Sequence, residues 1–196
     1  MPKLDRRMKR TRKKLTETFI DLALEFGYDR VSVRQLVRRA GTGSSTFYRH
    51  FHDKDDLLMH IIAGLVNGSR EVAELAQSPR EEAALWYRYV QQNQKVFRLL
   101  LDLPEENQAR QMYRRACADV VRQRYFPSEM SDVEPDMAIH HIVVSSDELL
   151  GWYLNNIDVH CPDEMAAIFC DLIVKSAAEV AFAPREDWLK RFSRAP

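Results

Sequence analysis

Among its 196 residues the chain has only three cysteines, Cys117, Cys161 and Cys170, and no two of them stand in a CxxC spacing. An odd set of this kind offers neither a disulfide framework nor a zinc motif, so the fold must rest on an apolar core, and reduced thiols in the cytoplasm are expected. Long hydrophobic runs are missing as well. No stretch approaches the roughly 18 uninterrupted apolar residues of a membrane span, and the N-terminus carries charge where a secretory leader would carry an apolar block. Strand-like alternation is scarce, and there is no repeat or low-complexity tract. Nucleophile elbows, phosphate loops and metal-spaced His/Glu pairs are also lacking. His140 and His141 are adjacent; on a helix they would point about 100° apart and could not grip one ion. The chain is therefore expected to need no metal and no cofactor, to catalyse nothing and to cross no membrane.

Net charge is absent too, with 29 Lys and Arg balancing 29 Asp and Glu. The balance conceals a division. Residues 1–54 hold fourteen basic against six acidic side chains, and the remainder fifteen against twenty-three. A basic segment of this density attracts polyanions and releases counterions on binding them, which makes nucleic acid or an anionic membrane surface its partner class. A merely solvated tail is the bland alternative.

Helical punctuation organises this basic segment. Leu15, Phe19, Leu22 and Phe26 line one face of a helix over about 9–26, and Gly27 ends it. Ser32-Val33-Arg34-Gln35 has capping-box spacing and announces a second helix, with Val31 and Leu36 placed for a hydrophobic staple. Gly41 closes that helix, Gly43 sits in a three-residue turn, and a third helix is expected over Ser44–Phe51. Two short helices joined in this way make a helix-turn-helix. Phe47 and Phe51, four apart, turn inward and leave Ser44, Ser45, Tyr48 and Arg49 outward. Asp53 is placed to cap a long fourth helix running from Lys54 to about Gln77, with Leu57, Leu58, Ile61, Ile62 and Leu65 on its apolar side. Further helices are expected at about 79–101, 105–125, 134–158, 162–182 and 185–192, punctuated by prolines.

The run from Val33 through Phe51 includes the Ala40-Gly41 turn and Thr46-Phe47-Tyr48-Arg49-His50-Phe51, and is followed by Asp53-Lys54-Asp55-Asp56-Leu57. It resembles the DNA-binding domain of TetR-family transcription regulators over about residues 9–58. The resemblance implies an all-α fold with a three-helix N-terminal DNA-binding domain over 1–53 and a larger helical ligand-binding and dimerisation domain over 54–196. It further implies a repressor that binds a palindromic operator in double-stranded DNA as a homodimer. Where many relatives cap the recognition helix with serine this chain has Gly43, and Thr42 is the residue placed to supply the missing oxygen.

The resemblance puts Arg34, Thr42, Ser44, Ser45, Thr46, Tyr48, Arg49, His50 and Lys54 at the DNA, with Ser44–His50 entering the major groove. Arg49 suits either two parallel bonds to a guanine or a phosphate. Arg34 has the same two options. Tyr48 and Lys54 match phosphate-clamping positions, which set register without reading sequence. Thr46 and His50 either touch DNA or pack on the second helix. The tail from Lys3 to Lys14, with eight basic residues and one acid, is expected to be disordered in free protein and to reach the backbone or the minor groove on DNA.

In the C-terminal part, the middle helices hold Trp86, Tyr87, Tyr89, Phe97, Tyr113, Trp152 and Tyr153; Trp86, Tyr89, Phe97, Tyr113 and Trp152 are the candidates for an apolar effector pocket, and plain core is the alternative use of all seven. The stretch around Tyr48–Phe51 together with Phe97-Arg98-Leu99-Leu100-Leu101 is similar to fatty-acid-responsive repressors of the FabR and DesT type, which implies a small hydrophobic effector of fatty acyl character. Met165, Phe169, Leu172, Ile173 and Val180 form the apolar face expected at the dimer interface, and intramolecular core is its alternative use. Asp147-Glu148 reads as a solvated stripe, and the cysteines as inert buried thiols. The rival classes are a helical enzyme and a membrane-surface binder that merely use a basic N-terminus. The first would turn over a substrate, and the second would set bulky apolar residues opposite its basic face.

Overall fold

The first helix of the computed structural model, which describes residues 2–126 and 135–177, runs as α1 over Pro2–Phe26 without a break. A proline tolerated in the first turn opens it, and Gly27, at φ 83°, stops it. The Lys3–Lys14 segment is therefore helical, which overturns the expectation of disorder. Leu15, Phe19 and Leu22 are buried as their spacing requires, but Phe26 is 45% exposed because the chain turns away at Gly27. A 3-10 turn at Tyr28–Arg30 leads to α2 (Val33–Arg39), α3 (Ser44–Tyr48), α4 (Lys54–Leu75), α5 (Pro79–Gln92), α6 (Gln94–Asp102), α7 (Gln108–Tyr125), α8 (Pro135–Asn155) and α9 (Pro162–Phe169). No strand occurs among the described residues.

The helix expected over 79–101 is two helices. Asn93 leaves the helical region (φ −121°, ψ 26°) and its carbonyl accepts from the N–H groups of Val96 and Phe97, restarting the ladder as α6. Beyond Phe169 the backbone widens into a π-helical turn over Cys170–Val174, in which the Lys175 N–H reaches the Cys170 carbonyl. The helix expected near 185–192, and the end of that expected over 162–182, lie outside the described residues.

The chain forms two compact units. One comprises Met1–Asn67 with Asn93–Gln111, the other Gly68–Gln92 with Met112–Pro196. In the first, α1 packs on α2 and α6, and Leu15, Phe19, Leu36, Phe47, Leu57, Ile62 and Phe97 are all fully enclosed. Each such side chain contributes roughly 1.5–3 kcal/mol on leaving water. In the second, α5 packs on α9, and one core gathers Val121, Ile139, Ile142, Val143, Ile173 and Ala177. No described helix is long and apolar enough to cross a membrane.

Two ion pairs sit low in the second unit. Arg114 meets Asp147 at 2.7 Å, with the aspartate side chain only 9% exposed, and Arg124 meets Glu82 at 2.6 Å. Asp147 is thus a buried partner rather than part of a solvated stripe, whereas Glu148 is exposed. The cysteines are all free. Burial pushes the Cys117 thiol up to about 12 and raises that of Cys170, so neither carries thiolate at neutral pH.

Candidate nucleic-acid interface

The recognition element is built from caps outward. The Ser32 hydroxyl accepts from the Gln35 N–H at 3.3 Å while the Gln35 side chain accepts from the Ser32 N–H at 2.9 Å, so two donors that α2 would leave orphaned are satisfied reciprocally. At the other end Gly41 takes φ 58°, and the N–H groups of Gly41 and Thr42 reach the carbonyls of Arg38 and Val37. This paired closure is a Schellman motif, and its left-handed residue is why glycine stands there. The turn passes directly into α3, whose N-cap Gly43 offers no side-chain acceptor. Thr42 does not substitute for it, since its hydroxyl is buried without a hydrogen-bond partner. The polypeptide chain has already turned to close α2, which takes that oxygen off the axis of α3. Regular α3 is also shorter than the sequence suggests, ending at Tyr48, with His50 and Phe51 both bonded back to the Phe47 carbonyl.

Phe47 and Phe51 anchor α3, their rings 5.9 Å apart and both buried. Ser44, Ser45, Tyr48 and Arg49 consequently stand exposed on one polar, basic face, and Tyr48 keeps 59% of its surface open. Thr46 is half-buried. Arg34 and Arg38 lie exposed on α2, and no carboxylate pairs with them or with Arg49 among the described residues. Arg39, by contrast, is tied to Glu25. The guanidinium of Arg12, from α1, lies 5.6 Å from the Phe51 ring centre, a neighbour that no local spacing could announce. The ring nitrogens of His50 are buried without partners. Burial first, then the charges of Arg12 and Arg49, hold its pKa below the usual imidazole value, which favours the neutral ring.

Lys54 is placed differently from an exposed clamp. Its ammonium donates to the carbonyls of Tyr28 at 3.2 Å and Asp29 at 3.3 Å and sits 4.3 Å from the Tyr28 ring centre. Of its three N–H donors, one remains for a phosphate. The Tyr28 hydroxyl donates to Asp55 beside it. The start of α4 is thereby fastened to the 3-10 turn, and Asp53 completes the junction by accepting from the Asp56 N–H at 2.8 Å.

Residues 17–61, which span the C-terminal half of α1, the helix-turn-helix and the start of α4, match the family pattern described as bacterial regulatory proteins, tetR family. That segment carries the TetR-type N-terminal pattern. The whole architecture agrees: a TetR transcriptional regulator from Streptococcus agalactiae superposes with a TM-score of 0.70 at 22% identity, over 86% of this chain and 96% of that one. A TetR-family regulator from Syntrophomonas wolfei gives 0.64 at 17% identity over 86% and 95%. The fatty acid degradation regulator FadR from Bacillus halodurans gives 0.63 at 14% identity over 83% and 94%. The matched segment is thus of the kind found in the family's DNA-binding regulators, and the chain as a whole has their fold.

The remaining candidate residues fall in different settings. Phe97 is enclosed in the unit that holds the helix-turn-helix, whereas Trp86, Tyr89, Tyr113 and Trp152 belong to the other unit. Tyr113 is buried against Cys117. Tyr89 lies across Gly68, where an added Cβ would come within 2.2 Å of its hydroxyl. Trp152 is 46% exposed, its ring 5.4 Å from that of His160. Met165 and Ile173 are buried within their own chain, Phe169 is half-buried, Leu172 is 64% exposed, and Val180 lies outside the described residues. Two further aromatics of the same helices, Tyr87 and Tyr153, stand out. The Tyr87 hydroxyl is buried without a hydrogen-bond partner, at a cost of about 1–3 kcal/mol, and that of Tyr153, also buried, is approached by the Gln91 side chain.

Proposed function

We propose that this chain is a ligand-responsive repressor that binds a palindromic operator as a homodimer in the cytoplasm. Residues 1–53 would carry the DNA contact, and 54–196 the effector site and the dimer contact. The observation that carries the reading is the α3 face: Ser44, Ser45, Tyr48 and Arg49 are exposed together on a helix locked from beneath by two phenylalanines. A helix of this width fits the major groove, and small polar residues beside one arginine can approach base edges. Arg34, Thr46, Tyr48 and the free donor of Lys54 would fix the register on phosphates.

One such helix makes too few contacts for useful specificity, which favours two copies on half-sites related by a dyad. The surface offered to a second copy includes Leu172, with Met137, Trp152 and Val159 also exposed in the same unit. The effector reading draws on the aromatic content of that unit. A fatty acyl effector draws on the likeness to FadR, a regulator of fatty acid degradation, whose identity with this chain is 14%.

The test is capture of genomic fragments by the purified protein, followed by footprinting and light scattering. A protected inverted repeat covered by two chains per site is expected, with affinity falling steeply as salt rises. A monomer that prefers no duplex over random competitor at physiological ionic strength would overturn the reading.

A further inference from the structure

Tyr87 on α5 and Tyr153 on α8 meet edge to face with ring centres 5.1 Å apart, and their residues are 1% and 0% exposed. A buried hydroxyl normally finds a partner, and each one that does not needs a reason. Here two belong to touching rings: the Tyr87 hydroxyl has no partner, and that of Tyr153 is approached by the Gln91 amide, which leaves its own O–H without a protein acceptor among the described residues. The surroundings are aromatic: Trp86 stands 5.0 Å and Phe169 6.5 Å from Tyr87, both near perpendicular. A second, independent feature adjoins them. The π-helical turn begins at Cys170, directly after Phe169, and Cys170 acts electrostatically on Tyr87. Turns of this kind inside a helix are frequent at functional sites.

Resting on the ligand-responsive reading above, we propose that Tyr87 and Tyr153 are the polar end of the effector site, donating their two O–H groups to the carbonyl oxygen of an uncharged, largely apolar small molecule. Two O–H donors on touching rings can match the two lone pairs of one carbonyl. The preference for an uncharged molecule follows from the neighbours. The groups that act on the two hydroxyls are each other, Cys170, Gln91 and Cys161. None of these is a cation, and Arg80, which acts on Cys170, acts on neither hydroxyl, so a carboxylate at the two O–H groups would lack a counter-charge in contact and bear much of the penalty of leaving water. Among acyl compounds, an ester, thioester or lactone fits and a free fatty acid does not.

The experiment uses the full chain and its Tyr87→Phe and Tyr153→Phe variants, with methyl decanoate, γ-decalactone and acetophenone as uncharged carbonyl probes and sodium decanoate as the anion. Thermal midpoints and release of the captured DNA are read together. Without probe, loss of the unpartnered Tyr87 hydroxyl should leave the midpoint unchanged or raise it by roughly 2–4 °C. A fall of that size in both variants would mean that an internal water already satisfies the hydroxyls, and would overturn the site. With probe, at least one carbonyl compound should raise the wild-type midpoint, decanoate should not, and either Phe variant should lose the shift about tenfold in probe concentration. No shift with any carbonyl probe, or a shift that both variants keep, overturns the site. Release of DNA by a probe that persists in both variants leaves ligand response standing and places its site elsewhere. Binding that needs both tyrosines but releases no DNA leaves the site standing and ends the repressor-switch reading.

Discussion

Arg49 and Lys54 carry the same charge in opposite situations. Arg49 is exposed and unpaired among the described residues, whereas Lys54 is spent on two carbonyls and a ring. Arg49→Ala should therefore leave stability within about 0.5 kcal/mol of wild type and weaken specific DNA binding by about 1–3 kcal/mol, relaxing preference at one operator position. Selection of bound sequences from a randomised operator checks this, and an equal loss on every sequence would assign Arg49 to a phosphate. The same contrast separates two aspartates. Asp147→Ala would remove the buried carboxylate that Arg114 meets and should cost about 1–3 kcal/mol. Asp163→Ala breaks the exposed pair with Arg88, whose side chains are 65% and 46% open, and should cost less than about 1 kcal/mol. Urea titration of both variants measures the difference. The outward set on α3 was legible in the sequence because Phe47 and Phe51 are local neighbours that fix it. Asp147 was not legible, because its partner is 33 residues away and nothing in local periodicity encodes it.

At the scale of elements, the signals that proved readable were those whose chemistry is confined to a few consecutive residues. The capping box at Ser32 and the stop at Gly41 are of this kind, and both stand where the sequence put them. The backbone argument makes opposite forecasts for two glycines. At Gly41 an added Cβ would meet nothing nearer than the Lys14 ammonium at 3.7 Å, so the cost of Gly41→Ala is the left-handed backbone alone, about 1–2 kcal/mol. Gly64, inside α4 with open space around it, should become more stable as alanine by about 0.5–1 kcal/mol. Thermal unfolding of the two variants gives the signs directly, and a shared sign would refute the assignment. Less readable were Asn93, which breaks a helical pattern without glycine or proline, and the π-helical turn. That wider turn takes more residues to come full circle. It returns Ile173 to the buried side below Met165 while Leu172 swings out to 64% exposure, and so divides what the sequence presents as one apolar stripe.

For the whole molecule, the decisive sequence feature was the separation of charge, fourteen basic side chains in the first 54 residues of a chain with no net charge. What composition could not show is the rigidity of the carrier. Arg6, Arg7 and Arg10 project from the same continuous helix that ends at Phe26, and all three are exposed. A helix about 10–12 Å across does not enter a minor groove about 6 Å wide. The basic arm should therefore track the phosphate backbone and strengthen binding without adding sequence preference. Replacing the three arginines by glutamine should weaken binding to operator and to random duplex by the same factor. It should also flatten the dependence of log affinity on log salt by about 0.9 for each phosphate no longer neutralised, and twice that per position if two chains bind. Titrations at four salt concentrations with both duplexes decide the matter. A slope unchanged by the triple replacement would show the arm to be clear of the DNA. A loss confined to the operator would mean instead that these arginines read bases.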